Sequence, residues 1–292
     1  MLRALLVIAT IVFAVPSCGG SEGEETFTGI ATDDPGPVHV HGLGLNPGDG
    51  ALFIATHTGL YRVEEGEISA KRVGEKYQDT MGFTIAGPDL FLGSGHPDAR
   101  DLQNGTPPLL GLIRSKDAGR TWTPVSLSGE ADFHVLRYLG KRVYGYDATN
   151  DRLMVSGDAG KTWTEHQPPA PIVDLAADPD DPDHIVATTA GELPGAQGLQ
   201  DSGDGGETWT KLGDPVGLLV WPSAQRLYLV DASGFVSVSA DSGKSFNIVG
   251  DIGGEPAAFM AVDGRELYVA LHDGTIKVSR DAGETWSLRS TP

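Results

Sequence analysis

The sequence predicts an all-β fold, a six-bladed β-propeller with four antiparallel strands in each blade, and three observations predict it. An octapeptide recurs: "SKDAGRTW" ends at Trp122, "SGDAGKTW" at Trp163, "SGDGGETW" at Trp209, "SADSGKSF" at Phe246 and "SRDAGETW" at Trp286. The positions of those aromatics put the copies 37 to 46 residues apart, the period of one propeller blade. Around every copy the same order of short apolar segments returns. Finally, the length left after an N-terminal signal suits one large all-β domain better than two.

The chain opens "MLRALLVIATIVFAVPSCGG". One arginine, Arg3, precedes an apolar run too short to span a bilayer, and small residues follow, so residues 1–17 read as an export signal. "VPSC" resembles the lipobox of bacterial lipoproteins, although Pro16 departs from its usual small or aliphatic residue. That resemblance implies acylation of Cys18, the single cysteine; without acylation the protein would be secreted. Residues 18–37, beginning with the acidic "GGSEGEET", are expected to be a flexible tether, and residues 38–292 the propeller. The membrane is then reached through the lipid alone, outside the cytoplasm. The whole chain carries 21 basic and 40 acidic side chains, a formal charge of −19, and loss of Arg3 makes the remainder one unit more negative. Such a surface repels nucleic acid, which is not an expected partner.

Six segments read as innermost strands, apolar enough to be buried on both faces: "HVHGLGL", "MGFTIAG", "FHVLRYL", "PIVDLAA", "GLLVWPS" and "AAFMAVD". Each has a second strand after it: "ALFIATH", "DLFLGSG", "RVYGYDA", "HIVATTA", "RLYLVDA" and "ELYVALH". The first blade keeps only an acidic turn at Gly66 in place of the octapeptide. "TFTGIA", residues 26–31, is a candidate outer strand for closing the ring, and a seventh blade stays open.

The pattern S-x-D-x-G-x-T-W resembles the Asp-box, or BNR repeat, of sialidases, sortilin-like receptors and many bacterial surface proteins. Asp117, Asp158, Asp204, Asp241 and Asp281 can accept bonds from N–H groups of their own turns, and a nearby glycine permits positive φ. Trp122, Trp163, Trp209, Phe246 and Trp286 are expected to pack between blades as anchors, with the turns between third and fourth strands.

Alternation of strand direction brings the starts of inner strands and the ends of second strands to one face of the ring. His39 and His41 begin the first inner strand and His134 the third. His57, His96 and His272 fall at second-strand ends, leaving only His166 and His184 elsewhere. Residues two apart on a strand share a side, so His39 and His41 are expected to point together, with His134 the expected third ligand of a transition metal. Copper and zinc are the candidate ions, and Met81 a candidate soft donor. The alternative is a polar ligand pocket of the same six histidines with Arg100, or histidines that merely satisfy neighbouring carbonyls. The insertion "GSGHPDARDLQNGTPP" and the loop containing Glu192 are expected to overhang this face.

The resemblance to sialidases implies an arginine triad, a Tyr–Glu nucleophile and an acid/base aspartate. "VHVHGLGL" stands where the first-blade arginine motif belongs, only Arg100 and Arg152 fall on the upper face, and Tyr146 has no clear glutamate partner. General glycoside hydrolysis needs two carboxylates about 5 to 10 Å apart. Asp98, Asp101, Asp147 and Glu192 are the catalytic candidates, with Asp132, Asp174 and Asp231 also near strand tops. With "HVHGLGLNP", "ATHTGLYRV" and "LGSGHPD", the chain resembles an uncharacterised group of bacterial Asp-box lipoproteins labelled glycosyl hydrolase. The expected function is binding of a ligand, a metal among the candidates, at the histidine-rich mouth. The alternatives are an exo-glycosidase acting on cell-surface carbohydrate and a scaffold for protein partners.

Overall fold

A computed structural model of the chain describes residues 36–191 and 195–292. The signal, Cys18, "TFTGIA" and Glu192 lie outside the described residues. What is described is a ring of six four-stranded antiparallel sheets, each built from four consecutive strands. Blade 1 is Val40–Leu45, Leu52–Thr56, Gly59–Val63 and Lys71–Arg72 (β1–β4). Blade 2 is Asp79–Gly87, Leu90–His96, Leu112–Ser115 and Thr123–Ser126 (β5–β8), with the short helix Ala99–Gln103 (α1) between its second and third strands. Blade 3 is Phe133–Leu139, Arg142–Asp147, Arg152–Ser156 and Thr164–His166 (β9–β12). Blade 4 is Ile172–Ala177, Ile185–Thr189, Gly198–Ser202 and Thr210–Gly213 (β13–β16). Blade 5 is Leu218–Ser223, Arg226–Val230, Phe235–Ser239 and Asn247–Asp251 (β17–β20), and blade 6 Pro256–Ala261, Leu267–Leu271, Ile276–Ser279 and Ser287–Ser290 (β21–β24).

The core is a series of apolar layers between neighbouring blades, not one central nucleus. Phe53, Phe83 and Phe91 fill the layer between blades 1 and 2, with Trp122 packed on it. Trp163, Trp209, Phe246 and Trp286 pack on the next four layers in turn. Second strands are the most deeply buried, Leu52–Thr56 and Ile185–Thr189 along their whole length. They are covered on both sides by adjacent sheets, so their apolar runs suit the site.

Each octapeptide joins the third strand of its blade to the fourth. In blade 2, Ser115 Oγ donates to Asp117 Oδ1 at 2.8 Å and accepts from Gly119 N at 2.8 Å, while Thr121 donates its N–H and hydroxyl to Asp117 at 2.9 and 2.6 Å. The same bonds recur at Asp158, Asp204, Asp241 and Asp281. Donated N–H and O–H bonds favour the charged carboxylate, led at Asp158 by the Thr162 backbone N–H, and hold that group down to about 2.

Closure occurs between blades 6 and 1, the one layer without a repeat aromatic. Val40, Leu43, Ile54 and Tyr61 meet Ala258, Tyr268 and Ile276 there. The C-terminal strand ties across it. Ser290 Oγ donates to Ile68 O at 2.8 Å, Arg289 Nη1 to Glu67 O at 2.6 Å, and Ser69 bridges Thr291. The outer positions of blades 1 and 6 are filled by β4 and β24, and the ring closes without a seventh sheet among the described residues.

Candidate functional site

Five of the six inner strands slip register against their second strand close to where they start. The slips fall between Val40 and Gly42, Thr80 and Phe83, Phe133 and Val135, Ile172 and Asp174, and Pro256 and Ala258. A β-bulge turns an extra residue out of the ladder and re-aims it. The residues so released are His41, Met81 with Gly82, His134, Val173 and Ala257. His41, Met81, His134, Val173 and Ala257 all line a central cavity of about 220 Å³, and Leu218 of blade 5 completes the ring.

Blades 1 to 3 crowd this mouth with imidazoles and carboxylates. His57 Nδ1 lies 2.8 Å from Asp79 Oδ1, and His41 Nε2 lies 3.7 Å from the same oxygen. One donor atom each from His41, His57 and Asp79 falls within 4.8 Å of the others. Among the described residues, buried His41 Nε2 and Asp79 Oδ1 make no aligned hydrogen bond despite this closeness. Metal bonds of about 2.0 to 2.2 Å would set tetrahedral ligand atoms about 3.3 to 3.6 Å apart, a span between the 2.8 and 3.7 Å at which His57 and His41 approach Asp79 Oδ1. Around Asp79, His96 Nδ1 donates to Oδ2 at 3.2 Å, and its Nε2 stands 3.5 Å from Asp132 Oδ2. His134 Nε2 donates to that Asp132 oxygen at 2.9 Å. Asp132 is buried, and its other oxygen has no hydrogen bond among the described residues. Three blades are thus linked by a continuous file of imidazole and carboxylate.

Burial pushes the His41 imidazole down to about 4, helped by its neighbours His57, His134 and His39 and opposed by Asp79. A neutral ring keeps a lone pair for a metal or a donor.

The converging set differs from the expected His39, His41 and His134. His39 precedes the strand, at a positive φ of 53°, and His41 is the bulge, so simple alternation does not relate them. His57 joins them instead: its ring centroid lies 5.1 Å from His39 and 4.5 Å from His41. His134 is drawn to Asp132. His272 stands apart, 4.0 Å from Glu255, and Arg100 is exposed on α1. Asp79 was not singled out in the sequence and Asp132 only as a general carboxylate. Their signal was positional: each stands directly before the first buried residue of an inner strand, as His39 does.

Among the described residues, the catalytic candidates Asp98, Asp101 and Asp147 and the further carboxylates Asp174 and Asp231 are engaged in other contacts. Asp98 caps α1 by accepting from Asp101 N at 2.9 Å, and Asp101 pairs with Lys76. Asp147 is fully buried and accepts from Asp132 N, Asn150 and Arg152. Asp174 is also buried, accepting from Leu175 N, Leu219 N and Arg137, and burial raises its pKa. Asp231 binds the N–H groups of its own turn. Tyr146 donates to Asp151 at 2.6 Å.

A family model for Sortilin-Vps10, described as sortilin, neurotensin receptor 3, matches residues 111–233. No curated protein matches. Among solved structures, YCF48 from Cyanidioschyzon merolae is 14% identical with a TM-score of 0.53, covering 87% of this chain and 85% of that one. A chain of the nidogen/laminin complex is 13% identical with a TM-score of 0.62, over 83% and 93%. An ancestral GH74 enzyme is 10% identical with a TM-score of 0.54, over 88% of this chain and 39% of its own. The family model covers less than half of the chain, and the structural likenesses, all at 14% identity or below, bear on the β-propeller fold alone.

Proposed function

We propose that this propeller binds a divalent transition metal at the mouth of its ring through His41, His57 and Asp79. The observation that carries the reading is the convergence of three donor atoms, two of them buried without an aligned hydrogen bond. A buried polar atom left unsatisfied is costly, and a cation would satisfy both at once. Two imidazoles and a carboxylate suit zinc, with copper(II) its strongest competitor in the affinity order. The donor set contains no thiolate or thioether, which disfavours copper(I). His96 then acts beside the set, orienting Asp79 through its Nδ1–H, as outer partners of metal ligands do.

The test is metal analysis of purified Cys18→Ser protein after exposure to zinc and copper. One metal per chain is expected, and none in a His41→Ala, His57→Ala double variant. Protein that stays metal-free overturns the reading. Export and a lipid on Cys18 form part of the same proposal, checked by incorporation of labelled palmitate that Cys18→Ser abolishes.

A second reading, docking of a protein partner over the same mouth, draws on exposed apolar side chains in segments flanking the histidines. Val38 precedes His39, Tyr77 precedes Asp79, and Leu102 lies on α1 just after His96. The nidogen structure is named for a complex with laminin. Crosslinking in the native membrane should capture one reproducible partner, lost on changing Tyr77 and Leu102 to serine. The glycosidase alternative gains no support from carboxylates already engaged in caps, turns and ion pairs.

A further inference from the structure

The donor set of His41, His57 and Asp79 leaves one imidazole at the mouth unused. We infer that His39 closes the coordination shell as a fourth ligand, which makes the centre a clasp at the start of the first strand and not an open, ligand-exchanging site. This rests on the metal reading above and adds the ligand count and the kind of centre.

Three observations lead there. The first is spacing. Two imidazoles bound to one metal at about 2.0 to 2.1 Å, with a tetrahedral angle between them, have ring centres about 5 Å apart. The ring centre of His57 lies 5.1 Å from that of His39 and 4.5 Å from that of His41, so both neighbours stand close to that separation. The second is freedom to turn. His39 is exposed, and among the described residues its ring makes no hydrogen bond or ion pair. As the ring now stands its nitrogens are outside the three-donor set. The torsion about the Cβ–Cγ bond of a histidine is broad, and turning it redirects the nitrogens while the ring centre stays in place. The third is the backbone. His39 has a φ of 53°, a region that glycine enters freely and other residues only at a cost. Its carbonyl accepts from His57 N at 3.4 Å, and Thr58 Oγ1 donates to Gly36 O at 2.9 Å. Strain fixed in this way by its surroundings gathers at ligand sites, and here it belongs to the residue whose ring meets His57.

Three imidazoles and a carboxylate make a closed tetrahedral set, the form of structural zinc sites, whereas catalytic sites keep a position open. The four ligands come from the approach to the first strand, its bulge, the end of the second strand and the start of blade 2. The metal therefore ties the beginning of the ring to its neighbouring blade, and its binding adds to the stability of the fold.

The experiment uses the full chain in detergent, loaded with one equivalent of cobalt(II), whose visible absorption reports its ligands, with azide as the probe for an open position. Azide should leave the spectrum of the unaltered protein unchanged. His39→Gly accepts the positive φ without strain and removes only the imidazole. It should still take up one cobalt per chain, bind it more than about tenfold more weakly, and respond to azide, and added imidazole should restore the original spectrum. An azide response in the unaltered protein, or a His39→Gly variant that lacks either the weakening or the azide response, overturns the fourth ligand and leaves the three-donor reading standing. Failure of cobalt to bind the unaltered protein overturns the metal reading instead, and this inference with it.

Discussion

Blades 1 to 3 and blades 4 to 6 share a backbone device and use it for opposite ends. Bulges release His41, Met81 and His134 in the first half of the ring, but Val173 and Ala257 in the second. The residue at or directly before the strand's start is His39, Asp79 or Asp132 in the first half, and Pro171 or Glu255 in blades 4 and 6. One half therefore assembles donors, and the other presents hydrocarbon across the same cavity. The difference shows that chemistry here is a matter of which side chains occupy equivalent backbone positions, since the scaffold is common to both. His272 sharpens the point. It holds the position of His57 and His96, yet with Glu255 4.0 Å away and exposed it forms no comparable cluster.

Removing the hub of the richer half should have the largest effect. Asp79 touches His41, His57 and His96, so Asp79→Asn should weaken zinc binding beyond the roughly 10- to 100-fold typical of an outer partner. Isothermal titration with a competing chelator measures this. Next is the backbone that sets the cluster. Gly95 has a φ of 132°, and a Cβ there would stand 2.2 Å from Asp79 O. Gly95→Ala should cost about 2 to 4 kcal/mol, read as a lowered denaturation midpoint together with loss of zinc.

A smaller effect comes from protonation. His41 sits near 4 in the folded chain and near 6.5 when unfolded, so between those values the unfolded state binds more protons. Its neutral form therefore contributes stability that is fully present above about pH 6.5 and lost as pH falls toward 4. For metal-free protein the loss should be about 1 to 2 kcal/mol after allowing for the exposed part of the ring. His41→Leu should flatten the fall in melting temperature across that window. The smallest change is expected from the poorer half: Val173→His should leave zinc stoichiometry at wild-type and shift affinity less than about twofold, since Pro171 supplies no carboxylate. Uptake of a second zinc would break the contrast between the halves.

Much of the fold was legible because its signals are local. The octapeptide at Asp117 makes its bonds within five residues, so it declares its turn wherever it occurs. The same holds for the second strands, whose apolar runs need burial on both sides. The candidate site was legible in part. Strand order alone brought His41, His57, His96 and His134 to one face, because the alternation of strand direction is a topological rule. Which of them converge was not legible, since a one-residue bulge reverses the direction in which every later side chain points. Asp79 escaped notice for a related reason: a lone aspartate before a strand is common, and its meaning depends on three imidazoles that come from two blades.

By itself, then, the sequence determined the propeller class, an expectation of six blades with a seventh left open, the strand order, the repeat turns and the face on which most histidines gather, all set by short-range patterns and topology. The closure through Arg289 and Ser290, the cavity, and the meeting of His41, His57 and Asp79 were decided only by tertiary structure. Coordination depends on atoms placed within a few ångströms by different strands, and that spacing is a property of how the sheets bulge and pack.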